Sequence, residues 1–144
     1  MGRKKIYKSG NSKKWLVYIL ALRDGSYYTG ITNDLHTRLK KHKTGKGSKY
    51  VASRLPLKVV YVCYEENRSD ATKREIKMKK MSKKEKETLV KGNWAKVDDK
   101  VNLYCEVCST VTSIPRKDIQ KWPKFKMNCI ICNNIITYEE KNEQ

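Results

Sequence analysis

Residues 15–32, WLVYILALRDGSYYTGIT, contain two runs of apolar and β-favouring side chains on either side of a short polar turn. Asp24-Gly25 lies in the turn, where a glycine can adopt the positive φ that a tight hairpin requires. The stretch therefore predicts an antiparallel β-hairpin, which sets the fold of the first half of the chain.

Loop length decides which side chains of this hairpin share a face, because successive side chains of a strand point to opposite faces. A two-residue loop would place Tyr18 and Tyr28 on opposite faces of the sheet. A three-residue loop at residues 24–26 would pair Leu22 with Tyr28 and bring the two tyrosines to the same face. We expect the three-residue loop.

A helix and a third strand are predicted after the hairpin. Apolar residues at helical spacing run from Leu35 to His42, and Asn33 or Thr32 can cap this helix. The Val- and Tyr-rich stretch LKVVYVCYEE at 57–66 predicts a strand.

Two further helices are predicted before residue 91. The first runs through Met78, and the second begins at Ser82, which forms a capping-box pattern with Glu85. The resulting order, β-β-α-β-α-α, predicts a small three-stranded α+β domain at residues 15–91.

Positive charge is concentrated in the first part of the chain. The 144 residues carry a net charge of +18, and residues 1–91 hold 25 Lys and Arg against 8 Asp and Glu. Such an excess indicates a polyanion-binding surface. Residues 1–14 are interpreted as a basic N-terminal arm, with a solubilising tail as the alternative, and residues 92–101 as a linker. No stretch has the length of a membrane span and no apolar signal-peptide core is seen, so we expect an intracellular protein with no membrane partner.

Four of the five cysteines form two Cys-x-x-Cys pairs separated by 20 residues. This spacing is typical of a four-thiolate zinc site, and a full shell of thiolates leaves no position for water, so the metal would be structural. Ser109 and Asn133 stand where a glycine usually follows each pair, and Asn tolerates the left-handed conformation. An iron site or redox thiols are the alternatives. We predict a zinc-ribbon domain at residues 102–144, with Zn²⁺ bound by Cys105, Cys108, Cys129 and Cys132.

Val17-Tyr18-Ile19, followed by Tyr28-Thr29-Gly30 and then by Arg38 and Glu75, resembles the signature of the GIY-YIG nuclease domain. The resemblance covers about residues 14–91 and is strongest toward small stand-alone members of that family, which also includes the N-terminal cutting domain of the excision-repair protein UvrC. It implies an endonuclease that uses Mg²⁺ or Mn²⁺ to hydrolyse DNA in repair or recombination. This sequence departs from the family pattern at Val17, where the family has glycine, and at Thr29, where it has isoleucine.

The residues that carry this resemblance suit phosphodiester hydrolysis, which needs an oriented water, charge neutralisation and help for the leaving oxygen. Tyr18 and Tyr28 supply phenols, and Arg38 supplies a permanent charge whose fork geometry matches a phosphate. His42 lies four residues after Arg38 on the same helix face. Glu75, a lone acid in a basic helix, suits a divalent-metal ligand whose other ligands are water and phosphate. We predict these five as catalytic residues, with Glu75 holding Mg²⁺.

Each of these residues also has a structural explanation. Paired strand tyrosines commonly pack as half-buried residues, and Arg38 would serve equally as a surface charge. A histidine at the position of His42 commonly caps a helix end, and Glu75 can pair with Lys79 at i,i+4 spacing.

DNA is the expected partner, with RNA and a protein partner of the zinc ribbon as further possibilities. The alternative function is a non-catalytic nucleic-acid-binding adaptor with a zinc ribbon. A ribosome- or transcription-associated ribbon protein would place its function in residues 102–138, but the charge lies elsewhere. A membrane-surface protein would need a basic amphipathic helix with a large apolar face, which the pattern does not contain.

Overall fold

The computed structural model describes residues 14–91, 100–120 and 124–138, which form a mixed α+β fold. The predicted basic arm therefore lies outside the described residues except for Lys14. The same holds for residues 92–99 of the predicted linker, whereas its last two residues belong to a strand. The elements are, in chain order, β1 (Trp15–Leu22), β2 (Tyr27–Thr32), α1 (Leu35–Lys43), α2 (Lys49–Ala52), β3 (Leu57–Glu65), α3 (Arg68–Lys79), α4 (Lys83–Val90), β4 (Lys100–Tyr104), β5 (Val111–Pro115), α5 (Arg116–Ile119), β6 (Phe125–Asn128) and β7 (Ile135–Tyr138).

Five strands form one sheet in the order β2-β1-β3-β5-β4, and β6 and β7 form a second, two-stranded sheet. Strand β1 is antiparallel to both β2 and β3. The predicted α+β class and the order β-β-α-β-α-α are confirmed, with the four-residue helix α2 added in the basic loop. The three predicted strands are present, but the sheet continues beyond them, because β5 pairs in parallel with β3 and β4 pairs with β5.

The β1–β2 hairpin has the predicted three-residue loop, but its register differs from the prediction. Tyr28 pairs with Leu20, not Leu22, and Tyr18 pairs with Gly30. The loop lies at residues 23–25, because the left-handed position of such a loop is its last residue and Gly25 has a φ of 82°. A shift of two residues preserves the alternation of side chains, so Tyr18 and Tyr28 share a face as predicted.

The helix caps show where local hydrogen bonds decide a boundary. The predicted cap of α1, Asn33 or Thr32, is wrong: Asp34 occupies the N-cap, and its carboxylate accepts a hydrogen bond from the Thr37 amide. The Thr32 hydroxyl instead accepts from the Asp34 amide, which holds the cap in place. At α4 the predicted capping box between Ser82 and Glu85 is confirmed in both directions.

The large sheet has an apolar core on each face. One core contains Tyr18 and the helix residues Leu35 and Leu39, and it continues into the cysteine-bearing half through Phe125 and Met127. The other core lies under α3 and α4 and contains the following buried residues: Val17, Ile19, Tyr61, Cys63, Ala71, Met78, Leu89 and Val111. Cys63, the cysteine outside the two pairs, is thus a buried residue of this second core.

Hydrogen bonds reinforce the junction between β3 and the cysteine-bearing half. The Tyr61 hydroxyl donates to the Ser113 hydroxyl at 2.7 Å, and the Thr110 hydroxyl donates to the Val59 carbonyl at 2.9 Å. The predicted domains at 15–91 and 102–144 therefore share one sheet. Whether they fold separately stays a prediction.

Within the ranges that the structure describes, no helix combines the length and apolar character needed to cross a membrane.

Candidate functional site

Tyr18, Tyr28 and His42 form an aromatic cluster between the hairpin and α1. The Tyr18 phenol and His42 Nε2 are hydrogen-bonded at 2.8 Å, and both side chains are fully buried. The Tyr28 ring centroid lies 5.3 Å from that of His42 and 6.4 Å from that of Tyr18. Tyr28 is only partly buried, so it is the member of the cluster that a substrate can reach. His42 Nδ1 has no hydrogen-bond partner among the described residues, so neither ring nitrogen caps a helix end there.

Arg38 adds a positive charge to this cluster. Its Nε donates to the Tyr18 hydroxyl at 3.4 Å, one helical turn before His42. Hydrogen bonding to Tyr18 raises the pKa of Arg38, so the guanidinium is charged at every relevant pH. Arg38 is half-buried beside Tyr18 and Tyr28.

Burial dominates the protonation of the two inner groups. It raises the pKa of Tyr18 to about 12, against an opposing effect of the Arg38 hydrogen bond. Burial also lowers the pKa of His42, and the nearby charge of Arg38 lowers it further. At neutral pH the phenol is therefore protonated and the imidazole is neutral, because each buried group avoids its charged form.

Gly30 explains why the second tyrosine motif ends in glycine. It pairs with Tyr18 across the hairpin, and a Cβ at Gly30 would overlap the Tyr18 hydroxyl oxygen. The phenol therefore crosses the backbone of β2 at a distance that only glycine permits. This contact holds the Tyr18 ring in the orientation that meets His42.

Glu75 approaches the cluster from α3. Its negative charge adds to the effect of burial in raising the pKa of Tyr18, so the carboxylate lies within electrostatic range of that phenol. The Glu75 side chain is 18% exposed and pairs with Lys79 at 2.6 Å. The structural explanation of Glu75 as an i,i+4 partner of Lys79 is thus present in the molecule.

Sequence reasoning missed the ion pairs that hold α3 against the sheet. Glu65, at the end of β3, accepts from Arg74 Nε at 2.8 Å and pairs with Lys100 Nζ at 3.2 Å. Glu65 is 8% exposed, so its charge needs these partners. Arg74 directly precedes Glu75, and Lys100 belongs to the predicted linker. The signal in the sequence was Glu65 itself, because an acid at the end of a mostly apolar strand indicates a charged partner.

The four paired cysteines come together at one end of the molecule. Their sulfur atoms all lie within 4.8 Å of one another, with Cys105 and Cys132 at 3.5 Å and Cys108 and Cys129 at 3.6 Å. Four sulfurs at about 2.3 Å from a tetrahedral zinc ion lie about 3.8 Å apart. The donor set therefore has the spacing and the thiolate chemistry that zinc prefers.

Both cysteine turns have the same backbone geometry. Ser109 has a φ of 62° and Asn133 a φ of 65°, the left-handed conformation expected at these two positions. In each turn the residue at positive φ donates its amide to the carbonyl of the first cysteine: Ser109 to Cys105 at 2.8 Å and Asn133 to Cys129 at 2.9 Å. Two equivalent turns, one from β4–β5 and one from β6–β7, thus face each other across the cysteine cluster.

Comparisons with known proteins match the first half of the chain. A family model described as the GIY-YIG catalytic domain matches residues 14–88, a range that contains the tyrosine cluster and ends before the paired cysteines. A UPF0213 protein of Photorhabdus laumondii is 40% identical over 77 residues, covering 54% of this chain and 74% of the relative. A UPF0213 protein of Oceanobacillus iheyensis is 47% identical over 74 residues, covering 51% of this chain and 86% of the relative.

A solved structure is also similar in sequence. The solution NMR structure of a UPF0213 protein from Bacillus halodurans is 42% identical and covers 54% of this chain and 82% of that chain, with a TM-score of 0.37.

Proposed function

Since the chain belongs to the GIY-YIG family, we propose that it is a metal-dependent endonuclease that hydrolyses DNA phosphodiester bonds. The observation that carries the proposal is the hydrogen-bonded contact of Tyr18 with His42 and Arg38, beside the partly exposed Tyr28. Two tyrosines that only packed in the core would not need a buried histidine and an arginine hydrogen-bonded to the same phenol.

Tyr18 and His42 would act as a proton relay. Arg38 can only donate to the Tyr18 oxygen, so the phenol hydrogen is free to point at His42 Nε2. When the Arg38 guanidinium turns from the Tyr18 oxygen to a bound phosphate, that oxygen would become open to an attacking water, and the phenol would accept the water's proton as it passes its own to the neutral imidazole. The lowered pKa of His42 keeps it unprotonated at neutral pH, as an acceptor must be.

Arg38 and Tyr28 would position the phosphate. The guanidinium is permanently charged and half-buried, so it can neutralise a phosphate oxygen where little water competes. The Tyr28 phenol lies beside it and can donate a hydrogen bond to the same phosphate. The surrounding charge, +17 over residues 1–91, would attract the DNA backbone without reading its sequence.

Glu75 would hold Mg²⁺ or Mn²⁺. A single carboxylate suits a hydrated divalent ion that completes its shell with water and substrate phosphate. Lys79, which pairs with Glu75 in the structure, would move to a phosphate when the ion binds. A bound divalent ion would supply charge neutralisation at the leaving oxygen.

The four-cysteine cluster would hold one structural Zn²⁺, through Cys105, Cys108, Cys129 and Cys132. We propose that the ribbon takes part in substrate or partner binding rather than in hydrolysis, because four thiolates leave the metal no open position.

Incubation of the zinc-loaded protein with supercoiled plasmid and with branched DNA tests the proposal. Cleavage should require added Mg²⁺ or Mn²⁺ and should be absent in the Arg38→Ala variant. A protein that binds DNA but cuts none of these substrates with either ion would instead be the non-catalytic adaptor.

A further inference from the structure

A cleft between the two halves of the molecule carries an inference about the substrate. It lies where α1 and the start of β3 face the first cysteine turn, residues 105–110, and its volume is about 420 Å³. Pockets of roughly 300–1,000 Å³ are the size that holds small organic ligands. A single nucleotide falls within this range.

Apolar side chains line part of the cleft, Ser109 and Thr110 line another part, and its rim is positive. Leu39, Leu57, Val107 and Ile131 contribute apolar surface, while Lys43 and Lys58 contribute exposed positive charges. Within the described part of the chain neither lysine is in an ion pair. Apolar walls with an adjoining cation match a nucleobase joined to its phosphate.

Val107 is the most informative residue of this lining. It is 67% exposed, more than any other large apolar side chain in residues 14–91, 100–120 and 124–138. It stands at the tip of the first cysteine turn, where a polar residue would cost nothing in packing. Its side chain adds exposed apolar surface to the lining of the cleft.

Helix α1 links the cleft to the candidate active site. Arg38 and His42 point to the tyrosine cluster, and their direct neighbours Leu39 and Lys43 line the cleft. The two places are therefore separated by little more than the thickness of one helix, about 10–12 Å with side chains. At about 3.4 Å per stacked nucleotide, a strand crosses this distance in about three nucleotides.

We propose that this cleft binds one unpaired nucleotide of the DNA substrate, about three nucleotides from the bond that is cut. A base within a duplex cannot reach the apolar walls, because its faces are stacked on its neighbours and its edge is paired. The enzyme would thus favour DNA with an unpaired strand, such as a flap or bulge, over a continuous duplex. The identity of the ligand as DNA rests on the proposed function.

The test measures binding of zinc-loaded protein to fluorescent oligonucleotides, without added divalent ions and without chelator. Three probes are compared: a continuous duplex, the same duplex with a three-nucleotide flap, and that flap with abasic sites in place of its bases. The wild type should bind the flap about tenfold more tightly than the duplex, within the range of base contacts on protein surfaces. The abasic flap, which keeps every phosphate, should bind like the duplex.

Two variants assign the preference to the cleft. Val107→Asp and Lys58→Ala change exposed side chains and should abolish the preference for the flap while zinc content and circular dichroism remain unchanged. Ile135→Asp is the matched control, since Ile135 is 56% exposed on the second cysteine-bearing hairpin and does not line the cleft. It should leave the preference intact.

Equal binding of flap and duplex by the wild type would overturn the inference. A preference that survives Val107→Asp, or one that the abasic flap retains, would do the same, since the cleft or the base would then be uninvolved. Equal binding of flap and duplex is the result expected if the cleft serves a protein partner. A protein that shows the preference but cuts no DNA retracts the nuclease proposal alone, whereas cutting without any preference retracts the cleft alone.

Discussion

The Tyr18 phenol and His42 Nε2 form a 2.8 Å hydrogen bond inside the core, where neither side chain is exposed to solvent. Two ionisable groups in such a position are costly to charge, and each avoids its charged form at neutral pH. The bond is therefore a route for a proton between two neutral groups. The dependence of the cleavage rate on acidic pH should then report the protonation of His42.

Cleavage should decline as the pH falls through the pKa of His42, which lies below its ordinary value of 6.5. The proton relay needs a neutral imidazole, so single-turnover rates should be flat above pH 6.5 and should fall below it. His42→Gln should be slower by about 10²–10⁴ and should lack this decline. A decline that persists in His42→Gln belongs to another group, such as Glu75.

The same shift predicts a stability change. A histidine with a lower pKa in the folded protein than in the unfolded chain binds its proton more readily when unfolded. Its contribution is therefore complete above about pH 6.5 and is lost as the pH falls below that value. Thermal melts of the wild type and of His42→Gln should differ in slope between pH 5 and 7, with the wild type more sensitive to acid.

Arg38→Ala should abolish cleavage while DNA binding stays within about tenfold of the wild type. One guanidinium neutralises the reacting phosphate, whereas many lysines share the non-specific affinity. Arg23→Ala, in the exposed hairpin turn, is the matched control and should cut normally. Parallel loss of binding and cleavage in Arg38→Ala would make Arg38 a binding residue only.

Glu75→Gln should stop turnover without unfolding the protein. The amide keeps the size of the side chain but removes the charge that would hold the metal. Glu66→Gln removes an exposed carboxylate that pairs with Lys117 and should leave the Mg²⁺ dependence unchanged. Normal cutting by Glu75→Gln across a Mg²⁺ titration would place the metal elsewhere.

Gly30→Ala should impair cleavage without altering any ionisable group. The added methyl would occupy the place of the Tyr18 hydroxyl, so the phenol must turn away from His42. We expect at least a tenfold loss of rate, since catalytic groups tolerate displacements of less than 1 Å. Retained folding, measured by circular dichroism, separates this effect from simple destabilisation. A rate equal to that of the wild type would show that the Tyr18 orientation is unimportant.

The protein should contain one tightly bound zinc ion per chain, as measured by metal analysis after purification under reducing conditions. Cys129→Ser should lose the metal, because a structural site binds through its full set of thiolates. Cys63→Ala should keep it, since Cys63 is buried in the other core. A zinc content near zero in the wild type would retract the assignment.

Metal loss also tests the division into domains. Chelation should unfold the cysteine-bearing half, whereas residues 14–91 should stay folded with a lower melting temperature, because β3 loses its pairing with β5 and Glu65 loses Lys100. Two thermal transitions that merge into one in every condition would contradict separate folding of the two halves.

The sequence predicted those elements whose formation depends on residues that are close together in the chain. The hairpin at residues 15–32 follows from alternating side chains and a glycine turn, and the Ser82 capping box from a short hydrogen-bonding motif. The predicted hairpin register was wrong because Gly25 was placed in the middle of the loop. In the structure Gly25 is the last residue of the loop, the position at which a three-residue loop takes the left-handed conformation.

The relation between the two halves was beyond the reach of such patterns. An apolar strand such as β3 carries no signal for which partner covers each of its edges, and the parallel pairing with β5 is set by tertiary packing. For the same reason the sequence did not show that Lys100, in the predicted linker, reaches Glu65 on the first domain. The shared face of Tyr18 and Tyr28 was predictable, but their contact with His42 and Arg38 required the fold.

The parallel pairing of β3 with β5 has a consequence for how the chain is synthesised. Tyr61 meets Val111, a partner made 50 residues later. At roughly 5–20 residues per second, the ribosome takes about 3–10 s to produce it. Throughout that interval the edge of β3 is uncovered, and an uncovered edge is a template for pairing with other nascent chains. Without zinc the cysteine-bearing half would cover this edge later still. We therefore expect overproduction in zinc-poor medium to drive the protein into inclusion bodies.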